Sequence, residues 1–277
     1  MTSEGRVNAI ASGVSPSQRR SPLKFFLLLF ALSVPFWLLG TVSTVRLLPG
    51  LPLSSLSFVC PALAACILVY RQSRIAGVTN LLGRSFDCGR IREWVWYVPM
   101  LLLMPLVSVF SYELVSLAGP PLPIPKIPLL SAMLLLLAFC VSALGEELGW
   151  SGYVIDPLQE RWGALSAAVL VALVWAVWHF VPLVQAHRSG GWIAASSLFT
   201  VALRVLIVWI YNNTGRSVFA ATMCHASSNL SWALFPNEGS HWDPRVAGLV
   251  LAGVAAIVTA VWGPRTLSRT PWHTANT

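Results

Sequence analysis

One feature recurs along almost the whole chain: stretches of about 20 predominantly apolar residues, the length a helix needs to cross the hydrocarbon core of a bilayer. They fall at roughly 25–46, 54–70, 94–118, 127–153, 164–185, 192–212, 217–236 and 244–263. Inside lipid, a spanning segment must satisfy its own backbone polar groups, and runs of this length do so as helices. The expected fold is therefore all-α, a polytopic transmembrane helical bundle of about eight helices forming one domain. Composition agrees: charged residues make up 10% of the chain and hydrophobic residues 56%, whereas a soluble domain carries about 25% charged residues. Thirteen tryptophans fit the aromatic belts found at bilayer interfaces.

The net charge of +8 says more through its placement than through its sum. Arg6, Arg19, Arg20 and Lys24 precede or open the first apolar run. Arg71, Arg74, Arg84, Arg90 and Arg92 follow the second, and Arg265 and Arg269 follow the last. The loops on the other side hold only Arg46, Lys126, Arg188 and Arg245. Positive loops stay inside, so both termini are expected in the cytoplasm, as an even number of crossings requires. Residues 1–23 read as a disordered basic cytoplasmic tail, 24–265 as the transmembrane domain, and 266–277 as a short cytoplasmic tail. The first run is long enough to span and lacks a clear cleavage site, which argues against a cleaved signal peptide. The chain is expected to be integral to a cell membrane, taken as a bacterial one, with the lipid bilayer as its first partner. Its basic tail fixes topology and touches anionic lipid; no nucleic-acid partner is expected. The five cysteines, Cys60, Cys66, Cys88, Cys140 and Cys224, form no CxxC pair, so neither a disulfide framework nor a cysteine zinc site is expected.

Against this background, ionisable residues inside the apolar runs need explaining. A charged side chain at the centre of a membrane helix costs roughly 2.5–3.5 kcal/mol on insertion scales. The candidates are Glu113, Glu146, Glu147, His179, Arg204 and His225, with the amide of Asn229. Glu146 and Glu147 sit in "SALGEELGWSGY". Neighbours on a helix point about 100° apart, so one can face an internal cavity while the other takes a different partner. A buried carboxyl is a candidate general base. The bland alternative is a helix that ends at Gly145 and leaves both acids in water. The apolar "LGWSGYVI" that follows argues for continuation to about Ile155, where Asp156-Pro157 is expected to stop the helix. In "LVWAVWHFVPL", His179 lies one turn after Trp175 and shortly before Pro182; alone it is as readily a core histidine as a functional one. In "MCHASSNLSW", His225 and Asn229 are spaced i, i+4 on one helix face, and Ser228 and Ser231 extend a polar stripe. Such residues also serve as interhelical glue. Converging from three helices, however, the set would make one polar pocket inside the bundle. Glu113 and Arg204 are expected to be structural, pairing with each other or with the pocket.

"EELGWSGY", then "WAVWH", then "HASSN", in this order across residues 125–236, resembles the CPBP family of CAAX proteases and bacteriocin-processing enzymes, also called Abi. Its pattern is EExxxR, FxxxH and HxxxN on three transmembrane helices. Two positions depart from it. Ser151 stands where the family has arginine, and Trp175 where it has phenylalanine, a change expected to be mild because a large aromatic is kept. The missing guanidinium is the serious departure, since it would hold and orient a carboxylate; Arg204 is a candidate to supply that charge from another helix.

The resemblance implies an intramembrane endopeptidase acting on membrane-associated, lipidated or other peptide substrates. Glu146 would activate water, and His179 would hold or polarise it. His225 and Asn229 would donate to the oxyanion, and Glu147 would be a supporting acid that orients the neighbouring helix. HExxH is absent, which removes the zincin arrangement, and no GxSxG turn points to a serine nucleophile. Zinc held by Glu146, His179 and His225 is the alternative, with a metal-free glutamate mechanism preferred and no other cofactor expected. Ser151 motivates a second reading, a catalytically impaired membrane scaffold or immunity-type protein. A proton-coupled transporter is disfavoured by the lack of an inverted repeat.

Overall fold

A computed structural model describes residues 20–120 and 122–269. Most of the expected tails, residues 1–19 and 270–277, lies outside the described residues. The expected all-α bundle is what forms. Helices run over Pro22–Val42 (α1), Cys60–Gly83 (α2), Tyr97–Ala118 (α3), Leu129–Gly149 (α4), Ile155–Trp162 (α5), Ala164–Gln185 (α6), Gly190–Asn213 (α7), Val218–Ala233 (α8) and Pro244–Trp262 (α9). The strands are a small antiparallel hairpin, Arg46–Leu48 with Leu51–Pro52. Among the described residues, seven segments are long and apolar enough to cross a membrane. The seventh expected run, 217–236, forms α8, which has only 16 residues. Its serines, His225 and Asn229 lower its hydropathy, and it lies mostly buried among the longer helices. Lipid-facing positions stay oily: Leu130, Leu134, Leu137 and Val141 of α4 are all exposed.

Two boundaries differ from expectation. Asp156-Pro157 does not end the fourth helix. Trp150–Val154 forms a π-helical turn, and the chain continues as α5 until Gly163, whose φ of 81° breaks it. In the wide turn the Ile155 N–H bonds Trp150 O, one residue further back than in an α-helix. Pro157 then enters in the first turn of α5, where a missing N–H is tolerated. The carbonyls that the turn and the proline leave free are taken by arginines. Arg20 and Arg84 each donate to Gly152 O at 3.0 Å, and Arg20 also reaches Tyr153 O at 3.4 Å. The second difference is at the chain end. Thr266 and Leu267 belong to the folded body, because their carbonyls accept from Asn212 (2.8 Å) and Asn213 (2.7 Å), and Leu267 is buried. The two described ends of the chain therefore sit at the same end of the bundle.

Two glycines set how closely the turn bearing the acid pair approaches its neighbours. A Cβ on Gly145 would lie 2.8 Å from Phe58 O, and one on Gly149 would lie 2.6 Å from Pro61 O. The i, i+4 pair puts the backbone of α4 directly against the segment entering α2, the small-residue packing typical of membrane helices. Gly149→Ala is expected to lower stability by about 1–3 kcal/mol through overpacking, measured as earlier thermal unfolding in detergent. Gly253→Ala, where no neighbour lies within 4 Å, is the matched control.

Candidate active site

The turn of α4 just before the π segment carries Glu146 and Glu147, both buried. Their side chains diverge as the helical step requires. Glu146 Oε2 accepts the indole N–H of Trp175 on α6 at 2.7 Å and, more weakly, that of Trp150 at 3.4 Å. Glu146 Oε1 has no hydrogen-bond partner among the described residues. Glu147 faces the other way and is saturated. Oε1 accepts Arg204 Nη2 at 2.8 Å and lies 3.0 Å from His225 Nδ1. Oε2 accepts Arg204 Nη1 at 2.8 Å and the Ser151 hydroxyl.

The remaining elements hold these partners in place. On α6, the Trp175 carbonyl lies 2.9 Å from His179 Nδ1. Trp178 Nε1 donates to Ser33 Oγ of α1 at 2.7 Å, which fixes the helix against its neighbour. Trp175 and Trp178 contact the His179 ring edge-to-face, with centroids 5.5 and 4.9 Å away, and Trp175 meets the His225 ring at 5.0 Å. Helix α8 is capped from outside. Asp87 accepts the backbone N–H groups of Val218 (3.2 Å) and Phe219 (3.0 Å) and the Ser217 hydroxyl (2.7 Å). A carboxylate there satisfies orphan donors and complements the helix dipole, so the short helix bearing His225 is held at its start. Behind the site, Tyr211, Asp156, Arg84 and Gln159 form a second polar network that closes that end of the bundle.

Both histidine tautomers follow from their partners. A carbonyl oxygen only accepts, so His179 carries its proton on Nδ1. A carboxylate accepting a guanidinium also only accepts, so His225 does the same. In the neutral ring each Nε2 then bears a lone pair. Asn229, one turn beyond His225, is half-buried, and its amide has no partner among the described residues.

The structure thus gathers Glu146, Glu147, His179 and His225, with Asn229 on the same helix as His225. Glu113 is exposed and apart from Arg204. Two residues matter more than the sequence indicated. Arg204, expected to be structural, is the bidentate partner of Glu147, and its guanidinium lies 4.2 Å from the centre of the Trp175 ring. Trp175 for phenylalanine is not a mild change either, because the indole N–H is what binds Glu146. The sequence signals for the first were an arginine in the middle of an apolar helix and the missing motif arginine at Ser151, for which Arg204 was the candidate substitute. As for metal, no three His, Cys, Asp or Glu side chains among the described residues are grouped to hold an ion. Glu147 is already filled by a guanidinium.

A family model described as type II CAAX prenyl endopeptidase Rce1-like matches residues 128–231, the segment that supplies all five of these residues. A curated relative, CAAX prenyl protease 2 of Methanococcus maripaludis, is 25% identical over 247 residues, covering 79% of this chain and 86% of the relative. In both comparisons the chain is similar to CAAX-type prenyl endopeptidases, and the EExxxR position held by Ser151 and the FxxxH position held by Trp175 are where it departs from the CPBP pattern.

Removing one partner of a buried ion pair leaves an uncompensated charge, at a cost of about 3–5 kcal/mol. Glu147→Gln should destabilise the protein on that scale. Glu146→Gln should cost far less, since an amide oxygen still accepts the indole N–H of Trp175. Paired thermal unfolding curves would separate the two adjacent acids.

Proposed function

We propose that this pocket hydrolyses peptide bonds of membrane-anchored substrates with a water activated by Glu146. The observation that carries the reading is the asymmetry of the acid pair: among the described residues Glu147 has both oxygens occupied, while Glu146 keeps Oε1 unpartnered and is bound through Oε2 to Trp175, whose ring contacts those of His179 and His225. Glu146 takes a proton from water as the hydroxyl attacks the scissile carbonyl. His179, through the Nε2 lone pair, accepts the other hydrogen of that water and orients it. The amide of Asn229 donates to the carbonyl oxygen as it becomes an oxyanion. His225, expected to donate there as well, carries its proton on Nδ1 toward the Glu147 carboxylate, so in the neutral ring its Nε2 accepts rather than donates. The proton held by Glu146 then passes to the leaving amine, and no covalent enzyme intermediate forms.

The preferred mechanism is metal-free. Supporting it are the lack of a three-ligand group among the described residues and the fixed guanidinium beside the acid pair. The name of the archaeal relative points to prenylated CAAX tails as the first substrates to try. The end of the bundle that holds both described chain ends is read as cytoplasmic, a reading supported by the arginines gathered there, Arg20, Arg84 and Arg90 among them.

General-base catalysis contributes roughly 10²–10⁴-fold, so Glu146→Gln should lower kcat by that factor on a prenylated fluorogenic CAAX peptide while thermal unfolding stays close to wild type. Asn229→Ala should lose about 10²–10³-fold in kcat if it donates to the oxyanion. Cleavage that persists after chelation and depends on Glu146 supports the metal-free reading; cleavage lost to chelator and restored by zinc overturns it.

A further inference from the structure

We propose that Arg204 is a positioning residue for the reaction: reaching in from α7, it takes the place of a cation four residues after the acid pair and holds both arms of the site. This rests on the hydrolytic reading above. Three observations carry it. First, the Glu147 carboxylate accepts two donors on each oxygen, and Arg204 is the one group that reaches both. Second, the Ser151 hydroxyl occupies the position from which a longer side chain would reach the same carboxylate, so the two sites are alternatives for one guanidinium. Third, Arg204 lies over the Trp175 ring at 4.2 Å, and Trp175 binds Glu146 through its N–H and His179 through its carbonyl.

One side chain therefore fixes two chains of contacts. Through Glu147 it sets the protonated nitrogen of His225. Through Trp175 it sets the orientation of Glu146 and His179. Arg204 is buried with Glu147 and has no access to substrate, so its effect runs entirely through these neighbours. Such a clamp acts on geometry, and misplacing reacting groups by about 1 Å is enough to cost on the order of 100-fold in rate.

The test uses the full-length protein in detergent with a prenylated fluorogenic CAAX peptide. It compares wild type, Arg204→Gln, Arg204→Lys and the relocation variant Ser151→Arg/Arg204→Ala, with Glu146→Gln as the control for the reading itself. Arg204→Gln should lower kcat on the order of 100-fold with KM little changed. Arg204→Lys keeps the charge but loses the two-pronged contact, and should fall between. The relocation variant should recover most of the lost kcat because it returns a guanidinium to Glu147. In parallel, nitrogen-15 NMR of labelled histidine should report His225 protonated at Nδ1 in wild type and in the relocation variant, and a mixture of tautomers in Arg204→Gln. Folded Arg204→Gln with kcat within about twofold of wild type would overturn the proposal. So would a folded relocation variant no better than Arg204→Gln. If wild type shows no Glu146-dependent cleavage, the hydrolytic reading fails. The histidine tautomers then decide the clamp separately: an unchanged His225 signal in Arg204→Gln rejects it.

Discussion

A buried carboxylate in the middle of a membrane bundle is tolerated only if something of opposite charge comes with it. Here that something is Arg204, bound through two 2.8 Å contacts to Glu147 with both groups removed from solvent. Neither residue could sit where it does without the other, since each alone would be an unpaired charge in an apolar interior. The pair joins α4 to α7, and His225 brings α8 onto the same carboxylate. Stacking of the guanidinium on Trp175 adds α6. Four helices thus meet at one ion pair, and the side chains of the candidate site are arranged around it.

The adjacent acid depends on that arrangement without sharing it. Among the described residues Glu146 is offered only indole N–H groups, which bind it while leaving one oxygen unpartnered. Two neighbouring glutamates on one turn become a saturated anchor and a carboxylate with a free oxygen among the described residues because the helix turns them apart. The π turn that follows serves the same division. It begins with Trp150 and Ser151, whose side chains reach back four residues to Glu146 and Glu147, and its loosened carbonyls are held by Arg20 and Arg84. π turns recur at functional sites because they re-aim side chains at small cost to the helix.

Much of this was legible in the residues. Apolar run length predicted the helices, and the three polar clusters, the Glu pair, His179 and the His225/Asn229 face, are the ones that converge. What stayed hidden was of a different kind. Gly145 and Gly149 look like ordinary helix residues until Phe58 and Pro61 are placed against them. Asp87 looks like a loop acid until it caps a helix some 130 residues away. Pro157 looked like a stop, because local rules for proline assume an α-helical register that the π turn does not keep.

By itself, then, the sequence determined the medium and the cast. Hydrophobic runs of bilayer length allow only helices, because backbone groups in lipid must pair within their own segment. Polar side chains in such runs are too costly to be incidental. Tertiary structure decided the partnerships. Which carboxylate meets the arginine, which keeps an oxygen unpartnered, and which nitrogen of each histidine carries the proton all depend on contacts between helices far apart in the chain. The replacement of a motif arginine by serine reads as a loss in one dimension. In three dimensions, a guanidinium from another helix stands at the same carboxylate, because Coulomb attraction depends on distance in space rather than on distance along the chain.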